Sequence, residues 1–332
     1  VPAEGLPRVV VTFPVGESDR DLFRSELAGL AEVEFLDGRP DAERAERLGS
    51  ADVLLTWLWE REIHPEEDAV VAGVRLVQLV SAGVDSLPFD RVPASAVIAG
   101  NVGAYSEPIA EHAVALILAA AKRLAIRHAE MAAGQFNSFI PNRMVAEMTV
   151  GILGLGGIGS ATATLLGALG ASIHAINTSG RTEQPVDFVG TLADLDGVLS
   201  AASAVVVALP LSRHTRGLIG ARELALMKPD AIVVNVARAD IVDEAALYEH
   251  LRTHPDFIAG LDVWWHEPTS HGDFKMSFPF FDLANVIGSP HNSAIVPGIL
   301  TEAARRATAN VGRFLRGEPP AGVIRREDYV GP

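Results

Sequence analysis

The sequence has no cysteine. That excludes disulfides, thiolate metal sites and a cysteine nucleophile. It has only three lysines, Lys122, Lys228 and Lys275, so arginine carries most of the positive charge. Basic residues are scarce overall: 27 against 42 acidic ones leave a formal net charge of -15. This argues against nucleic acid as a partner, because such binding needs a basic surface. Long hydrophobic runs are also missing. The longest helical apolar stretch, 113–121, is too short to span a bilayer, so no membrane partner is expected. No basic segment leading into an apolar one marks the N-terminus, and no secretory signal is expected there. No pair of histidines has a metal-ligand spacing, so no metal is expected. A cytoplasmic protein is the reading that remains. Apolar residues are plentiful, 48% of a 332-residue chain, which suggests a sizeable core and about two domains.

The most informative stretch is Val150-Gly151-Ile152-Leu153-Gly154-Leu155-Gly156-Gly157-Ile158-Gly159. An apolar β-type run enters Gly-x-Gly-x-x-Gly, and a helical pattern follows to Leu169. This strand–turn–helix context is what a dinucleotide fingerprint requires. Gly154 permits the tight turn, Gly156 lets the backbone approach a pyrophosphate, and Gly159 lets the helix pack on the strand. The helix N-terminus, opening at Gly157 and Ile158, offers N–H groups and a positive dipole end to phosphates.

Around this stretch the pattern is α/β with mostly parallel sheets. Strands are expected at 8–13, 33–36, 53–58, 76–79 and 97–99, with helices at 18–30, 42–48 and 65–72. A long helix is expected from Ser106 to Ala133, with Ser106 as N-cap and Glu107 in the first turn. Residues 135–143 have no clear period and read as a loop or arm. A second α/β unit begins at Thr149, with strands near 150–153, 172–176, 204–208, 232–235, 258–261 and 286–288. Residues 297–316 form a final amphipathic helix. No internal repeat is present.

Three later segments each place a titratable residue just beyond an expected strand: Arg238, Glu267 and His291. Ligands of open parallel sheets bind outside those carboxyl ends. A cation, a carboxylate and an imidazole there suit carbonyl reduction. Arg238 can hold a carboxylate bidentately and polarise a neighbouring carbonyl. His291 can donate a proton as the carbonyl becomes an alcohol. Glu267 can hydrogen-bond the other ring nitrogen, fixing the tautomer and favouring imidazolium. His64, His112, His128, His174, His214, His250 and His254 read as surface or packing residues, while His266 and His271 lie close enough to Glu267 to shape a pocket.

Together with Ala208-Leu209-Pro210-Leu211, Thr215, Asp262 and Pro290-His291, these segments resemble the D-2-hydroxyacid dehydrogenase family over nearly the whole chain. The resemblance implies two Rossmann-like domains with parallel sheets, the NAD(P)-binding domain (104–296) inserted into a flavodoxin-like substrate domain (1–103 and 297–332). It implies that Arg238, Glu267 and His291 are the catalytic trio. Ala82, Gly83 and Val84, with Arg238 and His291, would meet the substrate. Cofactor contacts would add Leu209, Pro210, Thr215, Val236, Ala237 and His291, with Asp262 on the nicotinamide carboxamide. The implied reaction reduces a small 2-keto acid, glyoxylate or hydroxypyruvate, to the D-2-hydroxy acid. Phosphite or formate oxidation and a nucleotide-sensing corepressor are the alternatives, although Glu267 stands where the formate branch typically has Gln. The long helix and the arm resemble dimer-forming elements. Ile117 and Leu118 would exceed what one side of a helix exposes, so a homodimer is expected.

The chain departs from the family pattern twice. An NAD-preferring site normally ends its second strand in an acid that binds the ribose 2′-OH. Here that place holds Asn177, followed by Thr178, Ser179 and Arg181, which tolerate a 2′-phosphate. NADP is favoured and NAD left open. Residues 268–283 form a longer, more aromatic link that either borders the cleft or anchors a surface loop. Phe136 and Phe139 on the arm are open to the same two readings.

Overall fold

The computed structural model describes residues 5–330. The chain divides into two compact units, Val1–Tyr105 with Val296–Pro332, and Ser106–Ile295.

In the first unit, five strands form one parallel sheet: β1 (Arg8–Val11), β2 (Glu32–Phe35), β3 (Val53–Thr56), β4 (Leu76–Leu79) and β5 (Val97–Ala99). Their order, β2-β1-β3-β4-β5, is the flavodoxin-like one. Every residue of β3 and β4 is buried, as parallel strands covered on both faces require. The C-terminal helix Ile299–Leu315 returns to this sheet and buries Ala303, Ala307 and Val311, one stripe at helical spacing. It is fastened by Asn310 Nδ2, which donates to the buried Gln78 Oε1 of β4 at 2.6 Å.

The second unit has seven parallel strands: β6 (Thr149–Leu153), β7 (Ser172–Ile176), β8 (Phe188–Gly190), β9 (Ala204–Val207), β10 (Ile232–Asn235), β11 (Ile258–Leu261) and β12 (Val286–Gly288). Their order is β12-β11-β10-β9-β6-β7-β8. The order reverses between β6 and β9, which makes a doubly wound sheet whose switch point opens beyond the carboxyl ends of those strands.

Several expectations need correction. The long helix is two helices, Ser106–Ala121 and Leu124–Ala132. Arg123 between them is left-handed at φ 50°, and the N–H of Arg143 takes the Ala121 carbonyl at 3.1 Å while Lys122 Nζ donates to Arg143 O at 2.7 Å. The end of the arm thus caps the first helix and stops it. Residues 65–72 hold two short 3₁₀ turns, Pro65–Glu67 and Val70–Gly73; the Glu67 carboxylate closes the first by accepting from His64 N at 2.8 Å. The strand expected at 53–58 ends at Thr56, because Glu62 accepts the N–H groups of Trp57 and Leu58 at 3.0 and 2.7 Å. Ile117 has no exposed surface: its helix packs its apolar side inside the second unit, and Leu118 is half-buried. Strongly exposed apolar residues lie further on, at Met131, Phe136 and Phe139, and near the end of the second unit at Ile295. Among the described residues no helix is long and apolar enough to cross a membrane.

Candidate active site

The glycine turn follows directly from β6. Gly154 sits at φ +99°, where a Cβ would lie 2.6 Å from Ala208 O, and a Cβ on Gly159 would collide with Gly154 O. Both positions therefore need glycine, one for the turn and one for helix–strand contact. Gly156 is different. It has an ordinary φ of -84°, and nothing lies within 4 Å of an added Cβ. It borders open space at the start of helix Gly157–Ala168, whose first N–H groups have no intrahelical acceptor. A pyrophosphate fits that cradle by both charge and room. When bound there, a nicotinamide nucleotide would supply hydride chemistry.

The neighbouring loops are tied down locally. Thr215 is buried; its Oγ1 donates to Pro210 O at 2.6 Å and accepts from Ser212 N at 2.9 Å, so its hydroxyl shapes the Leu209-Pro210 loop. Val236 and Ala237 are buried, and Ala237 N donates to Asn235 Oδ1 at 3.1 Å. Beyond β7, Asn177 Oδ1 accepts from the N–H groups of Ser179 and Gly180 at 3.0 and 2.7 Å, while Nδ2 donates to Arg181 O at 2.8 Å. Asn177 is thus the core of an Asx-type turn. It leaves Thr178, Ser179 and Arg181 exposed, with no carboxylate at the strand end.

Three strand ends build the titratable cluster. Beyond β10, Asn235 Nδ2 donates to Arg238 O at 2.9 Å and fixes the turn carrying the guanidinium, whose Nη1 donates to Ala237 O at 2.8 Å. Beyond β11, Glu267 uses both carboxylate oxygens. Oε1 accepts from Trp264 N at 2.8 Å and Oε2 from His291 Nδ1 at 2.6 Å. Burial pushes the Glu267 carboxyl up, but the hydrogen bonds from His291 and Trp264 and the charges of His291 and Arg238 outweigh it and hold the group below its usual range. An ionised carboxylate only accepts, so Nδ1 of His291 carries the proton and Nε2 is the nitrogen left for proton exchange. Arg238, Glu267 and His291 are therefore brought together, with Arg238 close enough for its charge to act on Glu267.

Beyond β12, His291 is one of two described non-glycine residues at positive φ, 51°. Its turn is gripped by Asp262. Oδ1 accepts from Ser289 Oγ at 2.6 Å and Asn292 N at 3.1 Å, and Oδ2 from Ser293 N at 3.1 Å. Asp262 has no exposed surface in this conformation, and its carboxylate holds the turn that carries His291. Ser289 gives its hydroxyl proton to Asp262, so His112 Nε2–H donates to Ser289 Oγ at 2.8 Å. His112 was read as a packing residue, yet it belongs to this network. Asn235, Trp264 and Ser289 also belong to it, and nothing in their sequence positions marks them. His271 Nδ1 accepts from Glu267 N at 3.3 Å and stacks on His266 at 4.1 Å, so both histidines steady the segment after Trp265.

The aromatic link divides its roles. Phe280 is fully buried and stacks on Trp265 at 5.5 Å, and Phe278 stacks on Tyr248 at 5.0 Å. Phe274 and Phe281 instead flank Trp264, at 5.7 and 5.1 Å. With Pro268, Pro290, Glu267 and His291 they line a cavity of about 590 Å³. Gly288 makes this possible, since a Cβ there would lie 2.7 Å from Phe281 and 2.8 Å from Trp264.

In the first unit, the segment after β4 is a tight loop in which Ser81 Oγ donates to Gly83 O at 2.9 Å. Ala82 and Gly83 are half-buried, and Val84 is buried in that unit's core, so Val84 can offer a ligand only its backbone. Among the described residues no cluster could hold a metal ion.

A doubly wound domain with an open glycine cradle and a paired imidazole and carboxylate at its strand ends has the make-up of a nucleotide-binding oxidoreductase domain. Residues 114–293 match the D-isomer specific 2-hydroxyacid dehydrogenase, NAD binding domain, and the chain belongs to that family. It is 31% identical over 313 residues to D-3-phosphoglycerate dehydrogenase of Mycobacterium leprae, covering 94% of this chain and 56% of the relative. It thus spans about half the length of that relative. It is 29% identical over 334 residues to glyoxylate reductase of Thermococcus gammatolerans, covering 97% of this chain and 96% of the relative. Among solved structures, a provisionally assigned formate dehydrogenase of Pyrobaculum aerophilum superposes with TM-score 0.83 at 30% identity, covering 97% of this chain and 99% of the other. A D-isomer specific 2-hydroxyacid dehydrogenase of Xanthobacter autotrophicus in complex with NADPH and MES gives 0.80 at 28%, covering 98% and 100%. D-lactate dehydrogenase of Lactobacillus jensenii with NAD+ gives 0.72 at 26%, covering 96% and 100%.

Proposed function

We propose that this protein reduces a 2-keto acid to the D-2-hydroxy acid with a nicotinamide cofactor, reversibly. The observation that carries the reading is the His291–Glu267 pair at 2.6 Å, beside Arg238 and beyond the carboxyl ends of a doubly wound sheet. Arg238 orients the substrate carboxylate and polarises the carbonyl. His291 gives its Nε2 proton to the nascent alkoxide, and Glu267 holds the ring and stabilises its charged form. The glycine turn and the Asn177 loop hold the nucleotide. The first unit holds the substrate carboxylate on the backbone of Ala82, Gly83 and Val84. Likeness to glyoxylate reductase supports glyoxylate and hydroxypyruvate as first substrates to assay.

NADPH is the preferred nucleotide in this reading. No carboxylate stands at the end of β7, and Arg181 is exposed beside it. The protein works as a homodimer in the cytoplasm, where the nucleotide is supplied; the exposed Met131, Phe136 and Phe139 support the dimer. The deciding experiment is steady-state turnover of the purified protein on keto acids, formate and phosphite with NADPH and NADH. Keto-acid reduction with a higher kcat/KM for NADPH, lowered by Arg181→Ala, is expected. Turnover of formate or phosphite alone, or nucleotide binding without turnover, would overturn the reaction. A strong NADH preference unaffected by Arg181→Ala would overturn the cofactor choice, and a monomer in sedimentation would overturn the dimer.

A further inference from the structure

We propose that the cavity beside His291 and Glu267 receives an apolar substrate side chain, so that the favoured acid is a 2-keto acid with a branched aliphatic or aromatic tail. This rests on the reaction proposed above and narrows its substrate away from glyoxylate. The cavity lies within one unit and its walls are known. Trp264, Phe274, Phe281, Pro268 and Pro290 supply apolar surface, and His291 and Glu267 are part of the same lining. At about 590 Å³ it is in the range of pockets that take whole small molecules, far more than a glyoxylate hydrogen or a pyruvate methyl can fill.

The cavity is a built feature. Trp264 is nearly buried and is pinned at both ends, its N–H on Glu267 Oε1 at 2.8 Å and its ring N–H on Ser289 O at 2.9 Å. Gly288 gives its ring and that of Phe281 room to lie against the end of β12. Because the imidazole that protonates the carbonyl is itself part of the wall, a chain attached to that carbonyl can continue into the cavity without a linker. The specificity element is therefore the aromatic link 268–283, which stands next to the chemistry rather than remote from it. Transfer of apolar surface is worth roughly fourfold in kcat/KM per added methylene, so a branched four-carbon tail should gain about fiftyfold over a methyl.

The test compares kcat/KM for glyoxylate, pyruvate, 4-methyl-2-oxopentanoate and phenylpyruvate in the wild type, in Phe274→Ala and Phe281→Ala, and in the double variant. Both rings are about half exposed, 47% and 55%, so their removal spares the buried Phe280 and folding is checked by Tm. The expected result is a preference for the two bulky acids of tens-fold over pyruvate, falling by about tenfold in each single variant. Reduction of glyoxylate and pyruvate with no gain for the bulky acids would overturn the inference and leave the reaction standing. A bulky-acid preference that survives the double variant would place the tail elsewhere and overturn it too. So would a preference appearing only after Phe136 and Phe139 are replaced by alanine, since a second copy's arm would then occupy the cavity. No turnover of any keto acid would overturn the reaction itself.

Discussion

Glu267→Gln tests the site at its tightest point. The carboxylate offers two acceptors, and both are in use, Oε2 for His291 Nδ1–H at 2.6 Å and Oε1 for Trp264 N–H at 2.8 Å. A carboxamide has one acceptor and one donor group, so one partner must lose. If the amide oxygen faces Trp264, the NH₂ meets Nδ1, and the imidazolium form is opposed by a facing donor. If the amide is turned, the NH₂ meets the Trp264 N–H instead, and the segment leading to Glu267 is loosened. The bond at stake is charge-assisted and worth about 1.5–3 kcal/mol, or roughly 10–150-fold in rate. The Glu267 carboxyl lies below its usual range, so its charge and the support it gives persist above the unfolded carboxyl value, about 4.3, and are lost only as pH falls through the lower folded one. The wild-type site therefore keeps this charge throughout the neutral range. We expect kcat/KM for reduction to fall by between about tenfold and a hundredfold at neutral pH. The assay is nicotinamide absorbance across acidic to alkaline pH, with Tm to exclude unfolding. A variant within about twofold of wild type at every pH would refute the pairing argument.

Three further outcomes can be checked. Gly156→Ala should leave Tm unchanged, because its φ is -84° and its Cβ would meet nothing within 4 Å, while the KM for the nucleotide rises roughly tenfold; an unchanged KM would mean that no phosphate approaches there. Asp262→Asn leaves a single acceptor for three donors, so stability should fall by about 1–3 kcal/mol and kcat of the folded fraction should fall with it; an intact kcat would mean that the His291 turn holds without Asp262. His250 is partly buried with Nε2 unpartnered, and burial, then His254, push its pKa down from 6.5 to about 4. It folds neutral while the unfolded chain takes up a proton, so stability present above pH 6.5 is lost as pH falls towards about 4, by at most roughly 3 kcal/mol. His250→Phe should flatten that slope in thermal melts, and an identical slope would remove His250 as its source.

Much of the second unit was legible because its central strands β9, β10 and β11 are buried throughout and read as largely apolar runs, and because the glycine spacing has one mechanical reading. The family expected from those motifs is the family found. What escaped depends on partners distant in sequence. The stop at Arg123 is set by the Arg143 N–H on the Ala121 carbonyl, and nothing around Arg123 itself signals a break. The hold of Asp262 on the His291 turn is a second case, since its three donors come from residues 27 to 31 positions later. Ile117 reads as surplus apolar surface until the helix is seen covered by its own unit. The Asn177 turn, by contrast, is wholly local, and its Asn-Thr-Ser-Gly sequence already contained it.

These distant contacts account for how a loop residue can serve as a precise acid. A non-glycine residue in left-handed backbone costs about 1–2 kcal/mol, and His291 stands there at φ 51°. The three bonds to Asp262 offset that cost, and Asp262 is itself fixed at the end of β11, between β10 and β12. Imidazole orientation is thus set by the sheet, with the loop only carrying the ring. Trp264 extends the same frame. Its N–H fixes Glu267, its ring N–H fixes Ser289, and its ring forms a wall of the cavity. The groups that aim the proton and the surface proposed to sort the acids therefore share one anchor. A substitution that shifts Trp264 should change selectivity and rate together, whereas Phe274 and Phe281, which flank its ring, leave the two separable.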